Sequence, residues 1–228
     1  IWIDPLTDNF GPMQNAQLEG RILGLAERAG IEGARVFEVD KSADTNRVNA
    51  YVTGFGSTKR IVLWDTLLAK LSPEQVLVVM GHEMGHYAMR HVVVGICAYS
   101  LLLTLGFGFV HLAGHAIQRR SGARLGLRDL SDPAALPLLL MLGALALLVL
   151  SPAAFAYSRR QEHEADRFAL EITRDNRGCA NAFVTMQTSN LGYPRPDAWV
   201  VWMRGSHPAV GERVDFCNEY RPWETADP

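Results

Sequence analysis

At 228 residues, with 22 lysines and arginines against 24 aspartates and glutamates, the chain has a formal charge of −2 and offers no basic surface for nucleic acid. Its length admits one substantial domain, or a domain joined to a membrane portion. The 48% of hydrophobic residues is ordinary as an average, but two stretches hold a disproportionate share.

The chain opens on Ile1 and its first residues do not read as a signal peptide, so further sequence is expected upstream. Gln14–Ala29 sets Leu18, Ile22, Leu25 and Ala29 at helical spacing, which predicts an amphipathic helix closed by Gly30 and Gly33. Three segments rich in β-branched and aromatic residues follow, Ala34–Val39, Val48–Gly54 and Arg60–Trp64, and predict a small sheet. Ser72-Pro73-Glu74-Gln75 reads as a helix start. Ser72 caps, Pro73 suits the first helical position and Gln75 completes a capping box, with helix predicted from Val76 through His91.

Two apolar runs come next. Val92–Leu112 lacks Asp, Glu, Lys and Arg throughout its 21 residues and would extend roughly 31 Å as a helix. Ala134–Tyr157 is similar, and a loop bearing Arg119, Arg120, Arg124 and Arg128 lies between them. Two buried helices of a large soluble core would share this composition. The length and uniformity predict instead a transmembrane hairpin that returns its flanking segments to one side. Arginines in the loop are matched by Arg90, Arg159 and Arg160 on the other flank, so charge sets no orientation. Beyond the hairpin, Arg160–Arg174 and Ala180–Ser189 read as helices, 192–196 as a loop, and Pro208 onward as a last short helix. Cys97, Cys179 and Cys217 lack the paired spacing of a metal ribbon or redox motif. An odd, scattered set argues against a secreted disulfide framework, and Cys97 reads as a small buried thiol.

The chemistry lies at the two ends of the hairpin. His82-Glu83-Met84-Gly85-His86 is an HExxH pattern on a predicted helix. Its imidazoles, four residues apart, share a face and can share zinc, with Glu83 beside them to take a proton from the attacking water. Alone the pattern is only suggestive, and it leaves zinc short of a third protein ligand. Glu162-His163-Glu164-Ala165-Asp166 supplies candidates. Glu162 and Asp166 share a helix face, so one carboxylate can bind the metal while the second orients a ligand histidine. An isolated pair of this kind is more often a solvated acidic face. The hairpin accounts for most of the sequence between His86 and Glu162, and would bring both helices to the same membrane surface.

The segments NAYVTGFGSTKRIVLWDTLL, GHEMGHY and SRRQEHEADRFA together closely resemble the zinc-dependent CAAX prenyl proteases and their bacterial membrane relatives, over a region from about Asp4 to His207. The resemblance implies one zinc ion per chain held by His82, His86 and Glu162, with Glu83 as the catalytic glutamate. It implies that Asp166 supports the site and that Arg213 pairs with Asp166. The strand around Asn49, Ala50 and Tyr51 would pair with substrate backbone. His207 would stabilise the developing oxyanion. From the residues alone, His207 reads as a cap or loop residue, and His91, His111, His115 and His163 as structural or interfacial. Family members that process prenylated proteins carry several more spans upstream.

The expected fold is α+β and mainly helical, a zincin-like metallopeptidase domain with a small sheet, interrupted by the hairpin. Residues 1–91 would hold the sheet and HExxH helix, 92–157 the hairpin and 158–228 the third ligand. The expected function is a membrane-embedded zinc endopeptidase acting on peptides or proteins, lipidated or membrane-bound, in a bilayer. By resemblance this is a multi-pass protein of the bacterial cytoplasmic membrane with its site on the cytoplasmic side. The alternatives are a catalytically silent membrane chaperone or scaffold of the same fold, and a membrane-protein quality-control protease. An intramembrane protease fits less well, because the motif precedes the apolar run.

Overall fold

The computed structural model describes residues 10–190 and 193–224. Gly192 of the predicted loop and the start of the family-like region near Asp4 lie outside the described residues. Those described form two compact units. One takes the residues up to His91, Arg160–Asp197 and those from His207; the other takes Val92–Arg159 and Ala198–Ser206.

The first unit is built on a mixed four-stranded sheet, β1 (Phe10–Pro12), β2 (Arg35–Val39), β3 (Ala50–Thr53) and β4 (Arg60–Trp64), in the order β1-β2-β4-β3. Strand β4 runs parallel to β2 and antiparallel to β3, with Ala50 opposite Leu63. Ile61, Val62 and Leu63 are all buried, so β4 is covered on both faces, while β3 is an edge strand of the sheet among the described residues. Helix α1 (Ala16–Arg28) starts where the Asn15 side chain accepts the Leu18 N–H, and its Leu18, Ile22 and Leu25 are buried. They pack into the same core as Ile61, Leu63 and Met80.

Helix α2 (Asp65–Lys70) pins the long β2–β3 connection. The Asp65 carboxylate accepts backbone N–H groups from Lys41 and Ser42 at 2.9 and 3.1 Å. The Thr66 hydroxyl donates to Arg47 O at 2.7 Å. The entry to β3 is thereby held. Helix α3 (Pro73–Ala88) begins with the predicted capping box, in which Ser72 and Gln75 exchange side-chain and backbone bonds. It stops three residues earlier than the sequence suggested. Arg90 turns left-handed at φ 56, and His91 opens the next helix, α4 (His91–Leu125).

The second unit contains most of α4 and the first part of α5 (Leu136–Thr173). Both are long and apolar enough to cross a membrane. Their apolar side chains face outward among the described residues, Phe107 at 71% exposed and Leu147 at 66%. The arginine-bearing loop is shorter than the sequence reading. Arg119, Arg120 and Arg124 are helical, and Arg128 alone falls in the turn. Helix α5 then passes through Pro152 and runs on into the segment bearing Glu162.

Helices α6 (Asn176–Asn190) and α8 (Val210–Glu219) complete the first unit, and α7 (Ala198–Arg204) belongs to the second. Strand β1 and helix α7 have no sequence periodicity long enough to announce them. Two cysteine readings are corrected. Cys179 of α6 and Cys217 of α8 form a disulfide, though no short spacing links them, and Cys97 is exposed rather than buried because its helix face has no protein neighbour.

Candidate metal centre

The site forms where α3 meets the last four turns of α5. The helices approach closely because α3 carries glycine at the crossing. A Cβ on Gly81 would lie 3.2 Å from Ala169 Cα, and one on Gly85 would lie 3.2 Å from Ala165 Cα. The HExxH glycine, a weak helix former by sequence, is therefore a packing requirement.

That approach sets Glu162 against both histidines. Its carboxylate oxygens lie 3.5 Å from His82 Nε2 and 3.4 Å from His86 Nε2, and the two Nε2 atoms are 3.1 Å apart. These three separations scatter around the edge of about 3.4 Å expected of a tetrahedral site with metal–nitrogen bonds near 2.1 Å. The donor chemistry fits as well. His82 Nδ1 lies 2.8 Å from Asp166 Oδ1, so its proton belongs on that nitrogen and Nε2 is left as a lone pair aimed at its neighbours. Among the described residues this trio alone gathers three such donors within reach of one ion.

Charge is arranged in layers behind the trio. Asp166 is 2% exposed, and Arg213 grips it twice, Nη2 to Oδ1 at 2.6 Å and Nε to Oδ2 at 2.8 Å. The guanidinium also lies 4.0 Å from the centroid of the Phe183 ring. Burial by itself would raise the Asp166 carboxyl, but Arg213 and His82 hold it below the usual carboxylate range. Glu162 behaves alike: burial opposes its charge, and hydrogen bonds from His207 and His86 with the charges of His82 and Arg213 keep it well below that range. For His82, burial acts to lower the imidazole, but the Asp166 bond outweighs it and the net direction is up. Glu83 shifts the other way from the two other carboxylates. Burial raises its proton affinity, and the charges of His82 and His86 only partly offset that.

The remaining predicted residues fall as follows. Glu83 and Asn49 line the same cavity of about 310 Å³ as the trio, walled on its apolar side by Val79, Phe183 and Met186. His207, largely exposed, places Nδ1 2.9 Å from Glu162 Oε2. Of the Asn49–Tyr51 segment only Asn49 reaches the cavity; Ala50 and Tyr51 sit in β3, opposite Leu63 and Val62. One participant escaped the sequence reading. His91 Nδ1 lies 2.8 Å from His86 Nδ1, brought there by the turn at Arg90, which no periodicity signals.

The sequence profile of peptidase family M48 matches residues 12–221. A Bacillus subtilis protein described as the uncharacterized metalloprotease YhfN is 42% identical over 219 residues, covering 96% of this chain and 51% of that protein. A CAAX prenyl protease 1 homolog from Oryza sativa is 33% identical, covering 94% of this chain and 50% of that one. The crystal structure of Ste24p from S. mikatae superposes with a TM-score of 0.77 at 26% identity, covering 96% of this chain and 54% of that one. The chain thus spans about half the length of the curated relatives it matches.

Proposed function

The chain belongs to peptidase family M48, and on that premise we propose that it is a zincin-like zinc metalloendopeptidase whose apolar hairpin crosses a bilayer. The observation that carries this reading is the meeting of His82, His86 and Glu162 at tetrahedral spacing. When bound, zinc supplies Lewis acidity, polarising the scissile carbonyl and acidifying the attacking water.

This chain's own residues do the rest. Asp166 accepts the His82 Nδ1 proton and so fixes the tautomer that presents Nε2, while Arg213 keeps Asp166 ionised and still. Glu83 is the proton carrier. Lining the same cavity as the three ligands, it can take a proton from water and deliver it to the leaving amine. His207, exposed beside Glu162, is placed to donate to the oxygen that gains charge in the transition state. The edge strand β3, entered at Asn49, is a template for an extended substrate backbone.

The outward-facing apolar side chains of α4 and α5 support a bilayer-spanning hairpin. On this reading the substrate is a peptide or protein, lipidated or otherwise at the membrane, and a site facing the cytoplasm of a bacterial cell is taken from the family resemblance alone. The prenyl-protease names of several relatives favour the lipidated class. Turnover of an unstructured peptide by protein in detergent tests the proposal, with Glu83→Gln as the control. The substitution should lower kcat by at least about 10²-fold while zinc stays bound. Equal turnover in both proteins would rule out the mechanism, and no turnover in either would leave a silent scaffold.

A further inference from the structure

We propose that His91 is a positioning residue for the second metal ligand, the middle member of a chain Glu164–His91–His86 that mirrors Arg213–Asp166–His82 on the first. This rests on the zinc reading above. His91 is 7% exposed, so its imidazole must find its partners within the protein. Its Nδ1 lies 2.8 Å from His86 Nδ1 and its Nε2 faces Glu164 Oε2 at 3.5 Å. Gln161 donates to the His91 carbonyl at 3.2 Å and Arg160 donates to Glu164 at 3.0 Å, so both ends of the chain are tethered to α5.

The proton positions follow from the chemistry of the donors. For His86 Nε2 to offer a lone pair, the His86 proton must sit on Nδ1, where His91 Nδ1 lies 2.8 Å away to accept it. His91 must then carry its own proton on Nε2, the nitrogen turned toward the Glu164 carboxylate. With these tautomers the 2.8 Å His86–His91 contact is a hydrogen bond, while His91 Nε2 is buried without one among the described residues and meets Glu164 only as a charge 3.5 Å away. The two ligands therefore have unlike supports: a buried carboxylate clamped by arginine behind His82, and a neutral imidazole oriented by a more exposed carboxylate behind His86. His86 is the more weakly anchored of the two.

The test measures zinc affinity by chelator competition on the protein in detergent, beside the unfolding midpoint of the zinc-free form. His91→Leu fills the space but accepts no proton, and should weaken zinc binding roughly 10- to 100-fold. His91→Asn, whose side-chain oxygen falls near the Nδ1 position, should recover most of that loss. Glu164→Gln, at a less buried position, should weaken binding several-fold without moving the unfolding midpoint. Wild-type affinity in His91→Leu, or equal loss in His91→Leu and His91→Asn, overturns the proposal. If His91→Leu does not fold, unchanged affinity in Glu164→Gln overturns it instead. A wild-type protein that binds no zinc overturns the site reading itself, and this inference with it.

Discussion

Arg213, mostly buried, and Asp166, fully buried, are a cation and an anion that compensate each other, with His82 and Glu162 close by. Removing the cation strands the anion. Arg213→Ala should destabilise the protein by about 3 kcal/mol or more, read from its urea midpoint in the absence of zinc; a change below about 0.5 kcal/mol would show that water reaches Asp166 in place of the guanidinium. At this scale the sequence was unevenly legible. His82 and His86 declare themselves because four residues along a helix puts two side chains on one face, and Glu162 and Asp166 follow the same arithmetic. Arg213 lies 47 residues from Asp166, and no local pattern joins them. Only the family resemblance suggested the pair. His207 and its contact with Glu162 stand in the same position.

Elements place these residues by how closely and at what angle they meet. Gly85→Ala puts a methyl group 3.2 Å from Ala165 Cα and from Phe168 Cβ, where backbone must move. It should cost about 1–3 kcal/mol and loosen zinc, because Glu162 rides on the displaced helix. Wild-type zinc affinity in that variant would mean that the crossing adjusts without moving the carboxylate. Asp65 works at the sheet. Burial raises its carboxyl somewhat, but the bonds from Ser42, Lys41 and Thr66 prevail and its proton affinity in the folded state is lowered. A carboxylate held below its unfolded value near 3.9 stabilises the fold above that pH, and the contribution fades as pH falls through the lowered folded value. Asp65→Asn should therefore cost about 1 kcal/mol at pH 7, the size of a helix cap, since solvent screens the group. The difference between the two proteins should shrink toward pH 3. A constant difference across that range would contradict a charged role. Helix α3 and the three longer strands were visible in the sequence through caps, periodicity and β-branched runs. Strand β1 and helix α7 were not, because three and seven residues carry too little pattern to stand out. The break between α3 and α4 was hidden too, since a left-handed arginine at position 90 has no composition signal.

Across the molecule, one long helix serves two environments. Helix α5 begins with outward-facing leucines and ends with the buried carboxylates of the site, so an element long and apolar enough to cross a membrane also carries Glu162 and Asp166. The hairpin was readable in composition at once, and its second span, Ala134–Tyr157, already ran through Pro152, which lies inside α5. The account as a whole depends on three side chains holding one ion. The most direct measurement is the metal content of the purified protein, by mass spectrometry or spectroscopic titration, for wild type and for Glu162→Gln. One zinc per wild-type chain and a marked loss of it in Glu162→Gln is the predicted result. A wild-type protein that hydrolyses peptides without divalent metal, or a Glu162→Gln protein that holds zinc as tightly as wild type, would contradict it.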